Sequence, residues 1–155
     1  MPSTGRSRQR GGVTGAEGQA PDLHVAVGLI RRDAHFLLGS RHPERTGGGV
    51  WEFPGGKLEP GEAAAAALHR ELAEELDIAV VQARAYPAFD HAQRDYAVRL
   101  YPFLVAEFTG EPHGREGQTL RWAEQAELWA EAATMPGANG PLLRHLAGQG
   151  LFDPD

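Results

Sequence analysis

Hydrophobic and polar positions divide the first third of the chain into short apolar segments separated by turns. Residues 24–30 are almost wholly apolar, as expected of a buried strand. A brief polar turn separates them from a second apolar segment at 35–40, so the two predict a β-hairpin. The polar, Gly-rich residues 41–49 predict a loop. Residues 50–53 then predict a short strand, which the following Pro-Gly-Gly is expected to end.

The clearest helical pattern lies at residues 62–76. Five consecutive Ala residues are followed by Leu68, Leu72 and Leu76, which are spaced to share one helical face. From residue 78 onward, β-branched and aromatic residues predict strands instead. The predicted strands are 78–86, 96–108 and a short one at 119–122, and the predicted helices are 124–132 and 141–146.

The order of the predicted elements, β-β-β-α-β-β-α-α, indicates an α+β fold in which helices pack on a mixed sheet. Strict β-α-β alternation is absent, which disfavours a Rossmann-like fold. The 155 residues suit one domain with a full core. Residues 1–20 carry almost no large apolar side chain, so we expect a disordered tail over 1–21 and a single domain over 22–155.

Composition and charge narrow the possible functions. The chain has no Cys, which excludes disulfides, thiolate metal sites and Cys nucleophiles. No apolar run approaches the roughly 20 residues that span a bilayer, and no secretory signal is visible, so we expect a cytoplasmic protein without a membrane partner. The net charge of −6 and the scattered basic residues disfavour binding to long nucleic acids. A small phosphorylated ligand remains compatible with this charge if metal ions bridge the negative groups.

Three carboxylates lie together on the predicted helix. On a helical wheel, Glu71, Glu74 and Glu75 share an arc of about 100° beside the leucine stripe rather than opposite to it. Carboxylates at the edge of a buried stripe tend to line a cleft, whereas a solvated acidic face would lie on the far side. Each like-charged pair costs about 0.2–0.5 kcal/mol. Arg70, four residues before Glu74, offsets part of this cost, and one or two Mg²⁺ or Mn²⁺ ions would offset more.

The residues around this helix resemble the signature of a known family. In the Nudix box, Gly is followed after five residues by Glu, and after seven more by Arg-Glu-apolar-any-Glu-Glu-any-Gly-apolar. Gly56, Glu62 and the segment 70–78 match every fixed position except one. Asp77 stands where the family has Gly, at the expected C-cap of the helix, where a left-handed conformation is needed. We expect this departure to affect local stability more than chemistry.

The resemblance implies a Nudix fold, an α/β/α sandwich, and Mg²⁺-dependent cleavage of a diphosphate linkage, with Mn²⁺ as a possible substitute. It implies that Glu71, Glu74 and Glu75 hold the metal together with the main-chain carbonyl of Gly55, and that Arg70 belongs to the catalytic group. Glu62 lies about 180° away on the wheel. We therefore expect it to support the site from the helix start, by capping backbone N–H groups or by reaching the preceding loop.

Similarity extends over about residues 23–147 and is closest to the MutT branch, which hydrolyses 8-oxo-dGTP. The similarity rests on short sequence segments such as Trp-Glu-Phe-Pro-Gly-Gly-Lys at 51–57, Glu-Gly-Gln at 116–118 and Met-Pro-Gly-Ala-Asn-Gly-Pro-Leu at 135–142. By position it implies that Glu116 is an extra metal ligand or base, that Arg41 contacts the nucleotide phosphate and that Asn139 reads the base. Phe53 and Lys57 are two further candidates for substrate binding.

Each of these assignments has a plainer alternative. Glu116 can be an exposed loop carboxylate, and Arg41 an ordinary residue at a strand end. Asn139, which would read the edge of the oxidised guanine, also suits a helix N-cap because Gly-Pro follows it. The aromatic rings of Phe53, Tyr96 and Trp122 can stack on a base, but we favour the core for all three.

Three functions follow. The first is a pyrophosphohydrolase that releases a nucleoside monophosphate and pyrophosphate, with 8-oxo-dGTP as substrate and a role in nucleotide pool sanitation and DNA repair. The second is the same enzyme acting on another nucleotide, such as CTP, dGTP or a nucleoside diphosphate derivative. The third is a non-catalytic nucleotide-sensing module, which is disfavoured because Arg70 and its three neighbouring Glu residues are all present. The expected partner is the nucleotide, for a monomer or a homodimer.

Overall fold

The secondary structure alternates strands with three helices along the chain. A computed structural model describes residues 20–40, 50–92 and 94–152. Within these ranges the elements are β1 (Leu23–Arg32), β2 (His35–Ser40), β3 (Gly55–Lys57), α1 (Ala64–Leu76), β4 (Ala79–Ala85), β5 (Phe89–Ala92), β6 (Ala97–Thr109), β7 (Thr119–Glu124), α2 (Gln125–Ala132) and α3 (Asn139–Gly148).

The strands form one mixed sheet in the order β4-β6-β1-β2-β7, with β3 also paired to β1 and β5 to β6. Strands β1 and β6 run parallel, with Leu23 opposite Val98 and Ile30 opposite Val105. The remaining pairs are antiparallel. The chain passes through α1 between β1 and β6, as a parallel pair requires a long crossover connection.

The two faces of the sheet are covered by different helices. Leu68, Leu72 and Leu76 of α1 pack on one face, which we call the α1 face. Helices α2 and α3 bury Leu128 and Leu143 on the opposite face, which we call the α2/α3 face. Successive residues of β1 alternate between the two cores, as the pleat of a strand requires. The predicted α+β fold, a mixed sheet flanked by helices, is therefore confirmed.

The structure corrects the prediction for the segment before α1. Residues 50–53 do not form a regular strand, since Glu52 makes only a bridge to Gly39, with two backbone hydrogen bonds of 2.9 Å. Strand β3 instead begins at Gly55, within the Pro-Gly-Gly that was expected to end a strand. Gly55 lies so close to β1 that a Cβ there would overlap the carbonyl oxygen of Ala26. Glycine thus permits pairing at this point instead of preventing it.

The remaining boundaries differ by smaller amounts. Strand β5 was not predicted, because its four residues, Phe-Asp-His-Ala, are too short and too polar to give a periodic signal. Helix α3 begins at Asn139 and extends two residues beyond the predicted 141–146 at both ends. None of the helices in the described ranges is both long enough and apolar enough to cross a bilayer. Residues 1–19 of the expected tail lie outside the described residues, so the tail and the domain boundary at residue 22 stay predictions.

Helix α1 ends in the conformation that the sequence predicts. Asp77 has φ 61° and ψ 38°, in the left-handed region, and its N–H bonds the carbonyl of Ala73. At the other end the helix begins at Ala64, two residues later than expected, with Ala63 as an N-cap that makes no side-chain hydrogen bond. Glu62 therefore precedes the helix and is not its cap.

Replacing Leu72 by Ala is expected to destabilise the protein by about 2–5 kcal/mol, because the side chain is fully buried between α1 and β1 and its loss leaves a cavity. Urea unfolding of the variant and the parent measures the difference. Val81→Ala is the control, since Val81 is 54% exposed on β4 and should change the free energy of unfolding by less than about 0.5 kcal/mol. Equal effects at the two positions would contradict this assignment of the core.

Candidate active site

Arg70 lies at the centre of an acidic cluster at the start of α1. Its Nε and Nη2 atoms each donate to the carboxylate of Glu62 at 2.8 Å. Its Nη1 lies 3.0 Å from Glu71 Oε2 and 3.4 Å from Glu74 Oε1, and Nη2 also donates to the main-chain carbonyl of Lys57 at 3.1 Å. Its Nη1 also lies 3.9 Å from Glu59 Oε2, so one guanidinium contacts four carboxylates and the end of β3 and joins the loop before the helix to the helix itself.

The pairing between Arg70 and Glu62 is the strongest electrostatic contact of the cluster. Its two parallel hydrogen bonds match the forked geometry of guanidinium and carboxylate. Together with the smaller effect of the hydrogen bond from the Glu59 N–H, they lower the pKa of Glu62 from 4.5 to about 2. The same contact is the main cause that raises the pKa of Arg70 above its ordinary value. The hydrogen bond to Glu71 raises it by a smaller amount.

Glu62 acts on the loop, as one of the two sequence-based expectations had it. Its Oε1 accepts the N–H of Glu59 at 2.8 Å, which closes a turn over Pro60-Gly61. The alternative, that Glu62 caps the N–H groups of the helix, is wrong, because its carboxylate is directed to the loop and to Arg70. Glu62 therefore fixes how the chain enters α1.

The three helix carboxylates occupy different environments. Glu74 is exposed, while the side chain of Glu71 lies against Gly56, where any Cβ would overlap its carboxyl group. Glu75 is only 6% exposed and is one of two buried polar residues among those that the structure describes. The exposed fraction of the side chain thus decreases from Glu74 to Glu71 to Glu75, toward the leucine stripe, as expected when the acidic arc borders the core. Gly56 provides the space that the carboxyl group of Glu71 occupies in this arrangement.

Glu75 and Gly55 line one pocket of about 110 Å³ between α1, β2 and the segment after Phe53. Glu52 and Gln118 line it as well. Glu52 is a polar pocket residue that the sequence reasoning did not single out. Its place within Trp-Glu-Phe-Pro-Gly-Gly was the available signal, because this segment lies directly before Gly55.

The donors around this pocket fit a hard divalent cation. Across residues 20–40, 50–92 and 94–152, no three His, Asp or Glu side chains converge as a ready-made metal site. Two of the expected ligands, Glu71 and Glu74, are turned toward Arg70, while Glu75 faces the pocket. The available donors are nonetheless all oxygen atoms, which Mg²⁺ and Mn²⁺ prefer. Arg70 is the cation that offsets their charge in this arrangement.

The loop that carries Glu116 lies at the C-terminal end of α1. Arg115 N donates to the carbonyl of Glu75 at 3.0 Å, and His113 N donates to the carbonyl of Leu76 at 3.2 Å. Gln118 Nε2 also approaches the Glu75 carbonyl, at 3.4 Å, and its Oε1 accepts the N–H of Glu116 at 2.9 Å. These contacts bring the main chain of Glu116, which lies 41 positions after Glu75 in sequence, close to the C-terminal end of α1.

Asn139 links helix α3 to the segment that leads into the pocket. Its Oδ1 accepts the N–H of Phe53 at 3.1 Å, and its Nδ2 donates to the carbonyl of Pro136 at 2.9 Å. The expectation that Asn139 serves as an N-cap is wrong: Ala138 is the N-cap, and Asn139 is already the first helical residue. Its amide therefore makes one tertiary contact, to Phe53, and one local contact, to Pro136.

The other expected substrate residues are placed as follows. The ring of Phe53 is 6% exposed within the core of the α2/α3 face, so only its main chain faces Asn139. Lys57 is exposed at the end of β3. Arg41 lies outside the described residues, and its assignment stays a prediction.

The core interpretation of the remaining aromatic residues holds only in part. Trp122 packs against the core of the α1 face, and the guanidinium of Arg32 lies 4.6 Å from its ring centroid. Tyr96 is 38% exposed and does not belong to either core. Its position just before β6 explains the difference, because the buried alternation starts only at Ala97.

Residues 22–146 match the family profile of the NUDIX domain. The chain is 37% identical over 128 residues to the 8-oxo-dGTP diphosphatase of Haemophilus influenzae, which covers 82% of this chain and 93% of that protein. It is 33% identical over 105 residues to the CTP pyrophosphohydrolase of Escherichia coli, covering 68% and 78%. Among solved structures, a MutT protein studied from Aliivibrio salmonicida and Vibrio cholerae superposes with a TM-score of 0.65 and 36% identity, over 82% of this chain and 98% of that one.

Glu62→Gln is expected to lower stability at neutral pH and to remove part of its acid dependence. Because the folded-state pKa of Glu62 is about 2 and its ordinary value is 4.5, the contact with Arg70 stabilises the protein above pH 4.5 and is lost as the pH falls toward 2. Urea unfolding at several pH values should therefore show a gap between parent and variant that narrows below pH 4.5. Glu107→Gln, at an exposed position on β6, is the control. A gap independent of pH would argue against the ion pair.

Proposed function

Because the chain belongs to the NUDIX family, we propose that it cleaves a nucleoside triphosphate to the monophosphate and pyrophosphate with the help of a divalent metal ion. We further propose that 8-oxo-dGTP is its preferred substrate. Membership makes the chain a hydrolase of diphosphate linkages, as the sequence indicated. The presence of Arg70 and its acidic partners disfavours the alternative of a non-catalytic sensing module.

The juxtaposition of Glu75 and Gly55 in one pocket supports the proposal most directly. Glu75 is 6% exposed at this pocket, and its carboxylate oxygens are ligands of the kind that Mg²⁺ and Mn²⁺ prefer. Here it borders the main chain that the family resemblance assigns to the metal, and Glu71 lies on the same side of α1 against Gly56. We propose Gly55, Glu71, Glu74, Glu75 and Glu116 as the groups that hold Mg²⁺, or Mn²⁺ in its place.

The reaction adds water across the anhydride between the α and β phosphates. One bond forms between a phosphorus atom and the water oxygen, the bridging P–O bond breaks, and the proton that water loses passes to a base. A bound divalent cation supplies positive charge that screens the phosphates and favours the attacking water. Three Glu carboxylates and Glu116 are candidates for the base, and the buried position of Glu75 keeps it within the pocket.

Arg70 has a supporting role in this scheme. In the structure it holds Glu71 and Glu74 at 3.0 and 3.4 Å and ties them to Glu62 and β3. A cation that entered the cluster would compete with Arg70 for these two carboxylates. Because Arg70 keeps two hydrogen bonds to Glu62, it can release Glu71 and Glu74 without losing its position.

Recognition of the base is proposed for Asn139 and the main chain of Phe53. These two groups present a donor and an acceptor at the edge of the α2/α3 face, and they bond each other at 3.1 Å. A purine edge can replace this bond if its carbonyl accepts the Phe53 N–H and its N–H donates to Asn139 Oδ1. The side-chain amide of Asn139 offers an acceptor and a donor in one plane. We propose that Lys57 and Arg41 contact the phosphates.

A second substrate class is favoured by one observation. The CTP pyrophosphohydrolase of Escherichia coli is 33% identical to this chain, only slightly less than the 8-oxo-dGTP diphosphatase relative at 37%. CTP or an ordinary deoxynucleotide therefore stands as the alternative substrate of the same site. A role in nucleotide pool sanitation and DNA repair, in the cytoplasm and as a monomer or homodimer, is proposed together with 8-oxo-dGTP.

Replacing Glu75 by Gln is expected to lower the rate of pyrophosphate release about 100-fold. It removes a buried, charged carboxylate that is proposed as a metal ligand, while keeping the shape of the side chain. Initial rates with saturating Mg²⁺ measure the effect, and a Mg²⁺ titration by calorimetry reports binding in the absence of nucleotide. Glu107→Gln, on the exposed side of β6, should retain the parental rate. Parental activity of the Glu75 variant would remove this residue from the catalytic group.

The substrate is tested by rates on 8-oxo-dGTP, dGTP, CTP and ADP-ribose, with release of monophosphate and pyrophosphate as the readout. We expect 8-oxo-dGTP to react fastest, and Asn139→Ala to reduce its preference over dGTP by about 10-fold or more, in line with a bidentate base contact. Asn139→Asp is the matched variant, because it keeps an acceptor for the Phe53 N–H while it replaces the Nδ2 donor by a second, negatively charged acceptor. Equal rates on dGTP and 8-oxo-dGTP in the parent would refute the substrate, and no turnover of any nucleotide would refute the activity.

A further inference from the structure

The loop between β6 and β7 is held on the C-terminal end of α1 by main-chain contacts. The carbonyls of Glu75 and Leu76, which no helical N–H can reach, accept the N–H groups of Arg115 and His113 at 3.0 and 3.2 Å. At the start of the loop, Gly110 packs against the same helix end, since a Cβ there would lie 3.0 Å from the carbonyl oxygen of Asp77. The last residue of this contact, Arg115, directly precedes Glu116.

Asp77 directs its carboxylate toward this loop. One carboxylate oxygen lies 3.6 Å from His113 Nε2, and the other lies 3.9 Å from Arg115 Nη1. The left-handed backbone of Asp77 places the side chain on the loop side of the helix end. The two residues that bond the helix carbonyls through their N–H groups are thus the same two whose side chains face Asp77.

An Asp at this position has two intrinsic disadvantages. A left-handed conformation is less favourable for Asp than for Gly, which has no Cβ. A negative charge at a helix C-terminus also opposes the helix dipole. The guanidinium of Arg115 offsets the second disadvantage, because cations are favoured at that end of a helix, and the His113 ring faces the same carboxylate. The exchange of Gly for Asp thus comes with compensating partners on the neighbouring loop.

We propose that Asp77 is a positioning residue that, through Arg115 and His113, holds the loop carrying Glu116 against the end of the helix that carries Glu71, Glu74 and Glu75. The main-chain bonds set the place of the loop, and the ion pairs reduce its excursions from that place. The consequence for the reaction rests on the proposed role of Glu116. The consequence for the loop does not depend on it.

The expected size of the effect is modest, since the side chains of Asp77, His113 and Arg115 are all more than half exposed. Exposed ion pairs of this kind correspond to about a two- to fivefold change in an equilibrium. Asp77→Asn removes the charge but keeps the shape and a residue that tolerates the left-handed region. Asp33→Asn is the matched control, because Asp33 has φ 55° in the turn between β1 and β2 and is also exposed.

The first test measures amide hydrogen exchange in the metal-free protein without nucleotide. Asp77→Asn should speed exchange of the His113 and Arg115 amides about two- to fivefold, whereas Asp33→Asn should leave them unchanged. Asp77→Gly should also speed exchange of these two amides. Its melting temperature should stay level or rise, because Gly suits the left-handed conformation, so faster exchange in this variant cannot be ascribed to a loss of overall stability. Unchanged exchange at both amides in Asp77→Asn and Asp77→Gly would overturn the proposal.

The second test measures steady-state kinetics on the preferred nucleotide. Asp77→Asn should lower kcat about two- to fivefold with little change in KM, because Glu116 and not the base pocket is displaced. Arg115→Gln should have a similar effect, and the double variant should lose no more than either single variant. Additive losses would overturn the proposal, and faster exchange with an unchanged kcat would overturn its consequence for the reaction through Glu116. Absence of any turnover in the parent would refute the proposed function, and the exchange test would still decide the role of Asp77 in the loop.

Discussion

Mutual repulsion among carboxylates is the constraint on which the rest of this site depends. Glu62, Glu71 and Glu74 all approach the guanidinium of Arg70, and Glu75 lies one position further round the helix in a buried place. Without a cation among them, these charges would favour a helix turned toward solvent. Arg70 lets the acidic arc remain beside the leucine stripe, and through the carbonyl of Lys57 it also ties the helix to β3.

The segment from Glu52 to Lys57 joins the two faces of the sheet. Its main chain bonds Gly39 of β2, Asn139 of α3 and the strand β1, and its glycines come within contact of Ala26 and Glu71. The base contact proposed for the α2/α3 face and the carboxylates on the α1 face therefore meet in one short segment. A nucleotide whose base and phosphates are read at the same time requires such a connection.

The elements with strong periodicity were predictable and the irregular ones were not. Helix α1 and strands β1, β2 and β6 follow from apolar spacing, because burial on one or both faces leaves a regular pattern. Strand β3 could not be predicted, since its Gly-Gly carries no side-chain pattern and exists as a strand only through contact with Ala26. The buried position of Glu75 was predicted by its angle on the wheel, whereas its place in one pocket with Gly55 and Gln118 depends on contacts between distant segments.

Contacts between distant residues account for the other differences. A local cap was one of two interpretations of Asn139, but its amide bonds Phe53, 86 residues away in sequence. Asp77 was expected to affect stability more than chemistry, because its partners His113 and Arg115 come from a loop that cannot be placed next to α1 by local pattern. In both cases a contact with a residue distant in sequence determines what the side chain does, and the sequence pattern does not show that contact.

The sequence by itself determined the family, the helix with its acidic arc, the left-handed end at Asp77 and the mixed sheet with helices on it. These follow from spacing and residue type, which act over a few neighbouring positions. Only the tertiary structure decided that Arg70 holds Glu71 and Glu74 while Glu75 enters the pocket, and that the loop carrying Glu116 rests on the end of α1. The physical reason is that hydrogen bonds and ion pairs between distant segments depend on how the two faces of the sheet are assembled, and local pattern carries no record of that assembly.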